Sequence, residues 1–385
     1  MATIEMTGIC KSFKGMSGFA LLEALRARLP FAKSRDKDVQ DDPLSRDRPF
    51  RLHNLNLIVP DGITMVILGP SGCGKTTVLR LIAGLIEPDE GEIRFDGENV
   101  AKTPPGERGI GMVFQTFALY PMYTARENIL SYFLFREKSP EMDQMAEEKF
   151  EQTSKLLGVE ISHLLNRMPR NLSPGEKQRV ALGRCVTRDP KVILLDEPFS
   201  NLDQRLREKY RVNLKKLLRR YGVTTVYVTH DQHEAMILAD LLAIMNIGTL
   251  EQIGTYERIY KQPANVFVAE FLNLDVHTPS INLLDGRLVS ERFRDYTLGI
   301  RPESVSVSDA TDTISIEGVV VNVTPIPLKG ITIVNLKVDD TEFVACVEST
   351  SSFAIGSKIV LGFDECHLFD RITGKRASTF KTDQL

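Results

Sequence analysis

The segment Gly69-Pro70-Ser71-Gly72-Cys73-Gly74-Lys75-Thr76 matches G-x-x-x-x-G-K-[ST] at every fixed position. The run Met65-Val66-Ile67-Leu68 before it reads as a buried strand, and Thr77-Val78-Leu79-Arg80-Leu81-Ile82-Ala83 after it reads as a helix. Strand, loop and helix in that order turn a glycine-rich turn into an anion cradle. Glycines let the backbone wrap a polyphosphate without Cβ clashes. Successive N–H groups and the helix N-terminus then face the negative charge. In such a loop the Lys75 ammonium reaches the β- and γ-phosphates, and the Thr76 hydroxyl can ligate Mg²⁺. The run from Gly69 to Thr77 is therefore the candidate phosphate-binding set. Cys73 reads as a small residue that fits the loop rather than as a nucleophile.

Composition excludes several classes of chain. At 385 residues, two domains are the expectation. Apolar content of 42% and charged content of 26% suit a globular protein. A formal net charge of −3 argues against a general nucleic-acid binder. No run approaches the roughly 18 apolar residues of a membrane-spanning helix. Met1 to Met6 lacks the basic and apolar regions of a signal peptide. The five cysteines have no CxxC spacing, and their odd number fits reduced thiols.

Along the chain, residues 2–9 alternate like a strand and Phe13 follows. Residues 14–50 form an insertion with two halves. The first has helical apolar spacing, and the second is dense in Lys, Arg and Asp, as in a surface loop. A strand pattern resumes at Leu55–Val59. Lys102 to Leu172 reads as mainly helical, broken at prolines. Two further apolar runs, Val192–Leu195 and Thr225–Thr229, are separated by helical segments, which predicts a parallel sheet covered on both faces. After about residue 272 the pattern changes to short β-rich runs, at 314–323, 331–338, 342–347 and 358–363. These predict a small all-β domain, a barrel.

Asp196 and Glu197 end one apolar strand, at the sheet edge where ligands of open α/β sheets bind. Asp196 is suited to hold Mg²⁺, and Glu197 to polarise an attacking water. Gln115 closes the run Gly111–Phe114 and can touch the metal or that water. His230 follows the last strand and can contact a γ-phosphate or orient Glu197. Each alone would read as a surface or core-edge group. With the phosphate loop they form a set.

Leu172-Ser173-Pro174-Gly175-Glu176-Lys177-Gln178 and Ser200-Asn201-Leu202-Asp203 resemble the signature and D-loop of ABC-type ATPases. The resemblance spans residues 2 to about 270 and includes the phosphate loop, Gln115, the acidic pair and His230. It implies an α/β P-loop nucleotide-binding domain over 1–271, with a helical subdomain at 116–172. An OB-like (TOBE-type) regulatory barrel would follow over 272–385. It further implies that ATP and Mg²⁺ are bound between two cassettes, with Ser173, Gly175 and Glu176 at the tip that faces the other copy, Asp203 beside it, and Phe13 stacked on adenine. The family's signature usually has glycine where Pro174 stands and glutamine where Glu176 stands. That departure leaves ATP binding expected and turnover rate open.

Narrower phrases resemble the maltose-importer ATPase group, among them Thr103–Gln115, Ala118–Pro121, Tyr227–Gln232, Pro263–Ala269 and Leu298–Glu303. They imply the ATPase of a carbohydrate-type importer, on the cytoplasmic face of the cell membrane. Its partners would be two transmembrane permease subunits, a second copy or close paralogue and, indirectly, an external solute-binding protein. Phe117, Leu119, Tyr120 and Met122 are candidates for the permease groove. Polyamine, phosphonate or metal-ion import, or a weakly hydrolysing regulatory role, are the alternatives the resemblance leaves open.

Overall fold

The computed structural model describes residues 2–13, 51–137, 139–157, 159–200, 204–273, 278–307, 314–348 and 353–381. The insertion at 14–50 and Asp203 lie outside the described residues. The chain divides into two compact units, Met1–Thr255 and Tyr256–Leu385.

In the first unit a six-stranded sheet runs in the order Thr249–Gly254, Leu241–Asn246, Thr64–Leu68, Thr224–Thr229, Val192–Asp196, Ile110–Val113. All neighbours are parallel except the first two strands. The three central strands are buried at every residue, which is why they read as unbroken apolar runs. Register matters most here. Leu68 pairs with Thr229, Asp196 with Val228, and Val113 with Leu195. Four strands therefore end level with one another, and the loops that leave them share one edge.

A second, antiparallel sheet orders Arg51–Val59, Ile4–Ser12, Glu90–Phe95 and Glu98–Asn99. The helix Lys75–Ala83 joins the two sheets. One core unites Ile4, Met6, Leu57 and Ile93 with Val78, Leu79 and Ile82 of the helix and with Ile67, Leu194 and Val226 of the larger sheet. The helix ends at Gly84, in the left-handed region at φ 73°. Buried Arg108 donates from Nη1 to the Leu81 and Ile82 carbonyls at 3.0 and 2.9 Å, adding to the Gly84 N–H that the Leu81 oxygen already accepts at 3.1 Å.

The expectation of a mainly helical Lys102–Leu172 needs correction. Residues 101–109 are turns, and Ile110–Val113 is the edge strand of the parallel sheet. Helices begin only at Ala125. Four residues of strand are too few to show a period.

The second unit is built mainly of two antiparallel sheets. One orders Val305–Val307, Lys358–Phe363, Ile314–Ile326, Ile331–Val338 and Thr341–Glu348; the other orders Asn282–Asp285, Tyr296–Ile300, Glu365–Asp370 and Arg376–Lys381. Leu298 and Leu368 of the smaller sheet share a core with Val334, Phe343 and Leu361 of the larger. Each of the four β-rich runs read from sequence is a strand. The unit starts at Tyr256, ahead of the change in pattern near 272, because buried Arg301 ties its first helices to the sheets. Its guanidinium donates to the Tyr260 and Ala269 carbonyls at 2.8 and 3.0 Å.

His367 is buried in this unit, its Nδ1 3.2 Å from Thr379 Oγ1. Burial, aided by the positive charges of Arg301 and Arg376, pushes its imidazole down to about 4. The unfolded chain would bind that proton near pH 6.5. Stability from this group is thus complete above about pH 6.5 and lost as pH falls toward 4, on the order of 3 kcal/mol in all. Melting curves of the wild type and His367→Gln should show it: the wild type loses Tm relative to the variant on going from pH 7 to pH 4. A constant difference between them would contradict this.

Candidate active site

The phosphate loop leaves the central strand at Leu68 and turns into the helix at Lys75. Gly72 and Gly74 sit at φ 81° and 111°, where a side chain would strain the backbone. Gly69 is required for a different reason. A Cβ there would stand 2.2 Å from the Met245 carbonyl oxygen, so the neighbouring strand leaves room only for hydrogen. Lys75 is buried, and its ammonium donates to the carbonyls of Gly69 and Pro70, both at 2.9 Å. It therefore lies over the loop's own mouth, held by oxygens that phosphate oxygens could replace. Burial pushes the Cys73 thiol up, consistent with a packing residue rather than a nucleophile.

Across the loop, Thr76 Oγ1 donates to Asp196 Oδ1 at 3.0 Å. Burial raises the Asp196 carboxyl, while the Thr76 hydrogen bond and the Arg80 charge pull it back. A carboxylate so placed gains from a cation beside it. The groups a metal could meet here are the Thr76 hydroxyl, the Asp196 carboxylate and the oxygen of the Gln115 amide, whose nitrogen is on Glu197. Among the described residues no group of three His, Cys, Asp or Glu could hold a metal. That sparse, all-oxygen set fits Mg²⁺, which keeps water and phosphate ligands, and not a cation that needs a protein cage.

Glu197 is the meeting point of the rest. Its N–H extends the ladder by donating to Val228 O at 3.0 Å, and its φ is 42°, in the left-handed region. A non-glycine residue held there costs some free energy and is fixed by its surroundings. Here the Ser200 N–H and Oγ both donate to the Glu197 carbonyl, at 3.2 and 3.0 Å. The carboxylate is half-buried. Gln115 Nε2 donates to its Oε2 at 3.5 Å, and His230 Nδ1 lies 3.0 Å from its Oε1. That contact raises the His230 imidazole, and desolvation offsets it in part. Gln115, Glu197 and His230, predicted from three separate strand ends, are thus in contact.

The helix Pro174–Thr187 starts with a capping box. Ser173 Oγ accepts from the Glu176 N–H at 3.3 Å, and Glu176 Oε2 accepts from the Ser173 N–H at 2.7 Å. That hydrogen bond holds the Glu176 carboxyl below its usual range. Arg167 Nη1 lies 3.6 Å from its other oxygen. The acid folds back on its own helix instead of projecting from the tip. Pro174 occupies the first helical position, where no intrahelical donor is needed. Gly175 is buried, and a Cβ there would meet Tyr210 Oη at 2.6 Å, so a larger residue would have to displace the Tyr210 ring of the helix Gln204–Tyr221. Ser173 and Pro174 are the exposed residues of the tip. Phe13, just past the strand Ile4–Ser12, is half-buried, with Lys11 Nζ 5.8 Å from its ring centre.

A family model described as ABC transporter matches residues 52–200. The trehalose/maltose import ATP-binding protein MalK of Thermococcus litoralis is 41% identical over 84% of this chain and 94% of its own length. The sn-glycerol-3-phosphate import ATP-binding protein UgpC of Psychromonas ingrahamii is 40% identical over 84% and 90%. The chain belongs to the ABC transporter family, in the group of sugar-importer ATPases. Its cassette is similar to solved dimers of the ATP-binding cassette MJ0796. One of these, in a post-hydrolysis state bound to ADP and Pi, is 29% identical with a TM-score of 0.50 over 66% of this chain and 98% of that one.

Other residues that shape this ABC cassette were not legible beforehand. Arg184, on the capped helix, donates to the carbonyls of Phe117 and Ala118 at 2.9 and 2.7 Å. Those two residues have φ of 61° and 46°, so Arg184 fixes a strained turn just after Gln115. Buried Asn128 uses its amide to bond Tyr120, Tyr123 and Thr124, and so shapes the next stretch. No spacing rule announces either contact. Of the groove candidates, Phe117 and Leu119 are buried, whereas Tyr120 and Met122 are exposed.

The capping box gives a prediction. Glu176→Ala should destabilise the cassette by about 1 kcal/mol, and Glu176→Gln, which retains both bonds, by less than about half of that. Denaturant unfolding measures both, and equal losses would contradict the assignment.

Proposed function

We propose that this chain is the ATP-hydrolysing subunit of a carbohydrate-type importer, with Glu197 as the group that activates water. The observation that carries the reading is the convergence on one sheet edge of the phosphate loop, Asp196, Gln115 and His230 around the Glu197 carboxylate. The loop amides and Lys75 would hold the β- and γ-phosphates. Thr76 and Asp196, with Gln115, would hold Mg²⁺, which when bound neutralises charge on the phosphates. Glu197 would accept a proton from the attacking water, and His230 would steady that carboxylate and face the γ-phosphate. Ser173, at the capped helix tip, would meet the ATP of a second cassette. The retained constellation favours an active motor over a decayed regulatory partner. The names of the two relatives above point to sugars or glycerol phosphate as the solute class.

A permease would dock through the helical region. Tyr120 (36% exposed), Met122 (69%) and Phe135 (58%) offer an apolar surface, and the rings of Tyr120, Tyr123 and Phe135 pack with centres 5.5 to 5.9 Å apart. Among the described residues no helix is long and apolar enough to cross a membrane. Attachment at the cytoplasmic face of the cell membrane would therefore come through two permease subunits, supplied with solute by an external binding protein.

Two measurements test this. Glu197→Gln should lower kcat for ATP at least about a hundredfold, the range for a lost general base, with ATP binding kept. An unchanged rate would remove Glu197 from the chemistry. Met122→Asp should leave basal ATP hydrolysis intact and abolish its stimulation by solute in the reconstituted transporter. Full stimulation would place the permease elsewhere.

A further inference from the structure

The His230 side chain is only as well placed as the turn that carries it. That turn, Thr229-His230-Asp231, links the end of the last central strand to the helix Gln232–Leu238. It is tied at both sides of His230. On one side, Thr229 Oγ1 donates to Glu234 Oε2 at 2.7 Å and accepts from the Asp231 N–H at 3.0 Å. The Tyr227 hydroxyl donates to the same Glu234 oxygen at 2.7 Å. On the other side, Asp231 Oδ1 caps the helix, accepting from the N–H groups of His233 and Glu234 at 2.8 and 3.2 Å.

These bonds leave two carboxylates, Asp231 and the buried Glu234, with one oxygen each to satisfy. Both turn to the same guanidinium. Arg211 Nη2 donates to Asp231 Oδ2 and lies 3.5 Å from Glu234 Oε1. Arg207 Nη1 reaches Asp231 Oδ2 at 3.6 Å. Arg211 is 6% exposed and Glu234 3%. Breaking a buried ion pair from one side leaves an uncompensated charge, which is strongly unfavourable. The turn cannot shift without its arginine. Arg211 belongs to the helix Gln204–Tyr221, the same helix whose Tyr210 packs on Gly175. A cleft of about 60 Å³ lies beside the turn, lined by Glu197, Ser200, His230 and Asp231 among others, so a small displacement there has room to occur.

We propose that Arg211 is a positioning residue for ATP hydrolysis. It holds the Thr229–Asp231 turn, and through it the His230 ring, at hydrogen-bonding distance from Glu197. The inference rests on the reading of Glu197 and His230 as the hydrolytic pair. Both contacts come from the single nitrogen Nη2, so an ammonium held at the same point would keep part of the grip.

The experiment is steady-state hydrolysis of Mg-ATP by the full chain, for the wild type, Arg211→Met, Arg211→Lys and Asp231→Asn. Each is also made in a His230→Ala background. Asparagine caps helices as well as aspartate does, so Asp231→Asn keeps the turn folded while weakening the grip of Arg211. It carries the test if Arg211→Met does not fold. Arg211→Met and Asp231→Asn should each lower kcat about tenfold with KM for ATP within about twofold, and Arg211→Lys should recover part of the rate. In the His230→Ala background neither should lower the rate by more than about twofold further, because their effect passes through His230. Losses that multiply with His230→Ala, or a KM that rises in step with the fall in kcat, would overturn the proposal and leave Arg211 a structural residue. A wild type without ATP hydrolysis would instead overturn the reading of the site itself, and this inference with it.

Discussion

Parallel pairing in register is the constraint on which everything else depends. The strands Thr64–Leu68, Val192–Asp196 and Thr224–Thr229 are buried throughout, and the one charged residue among them, Asp196, is the last of its strand. Polar chemistry can begin only where they end. The pairings Leu68 with Thr229 and Asp196 with Val228 make those ends level. A slip by one residue would turn each side chain to the other face and scatter the site. The edge strand Ile110–Val113 follows the same register and delivers Gln115 to the same place.

Around that edge, charge is balanced by short-range contacts that nucleotide can take over. Lys75 rests on loop carbonyls, Asp196 on Thr76, and Glu197 on His230 and Gln115. Glu197 is also held at a left-handed φ. A residue kept there by its neighbours has its carboxylate aimed before substrate arrives, which reduces reorganisation during reaction. The surrounding arginines act at one remove. Arg108 completes the end of the phosphate-loop helix, Arg184 fixes the turn after Gln115, and Arg211 holds the turn that carries His230.

The site residues were legible because each sits at a fixed offset from an apolar run. Lys75, Asp196 and His230 could be placed by counting from a strand end. The arginines could not, since each contacts residues 20 or more positions away, as Arg211 with Asp231 or Arg184 with Ala118. Gly175 was placed by resemblance at the tip facing a second copy, and its close packing on Tyr210 is a fact invisible without the helix pair. In the second unit, strands rich in β-branched residues, such as Ile331–Val338, were plain. Short ones beside glycine or proline, such as Tyr296–Ile300, were not. The boundary at Tyr256 escaped because Arg301, not composition, binds the preceding helices to the β-sheets.

Under the proposed function, this edge and the capped helix tip at Ser173 would be two halves of one ATP site, completed by a second cassette. Sedimentation of Glu197→Gln with and without Mg-ATP tests it most directly. The expected result is a monomer without nucleotide and a stable dimer with ATP, reverting when Ser173 is replaced by a bulky acid. A mass that does not change with ATP, while ATP still binds, would contradict it.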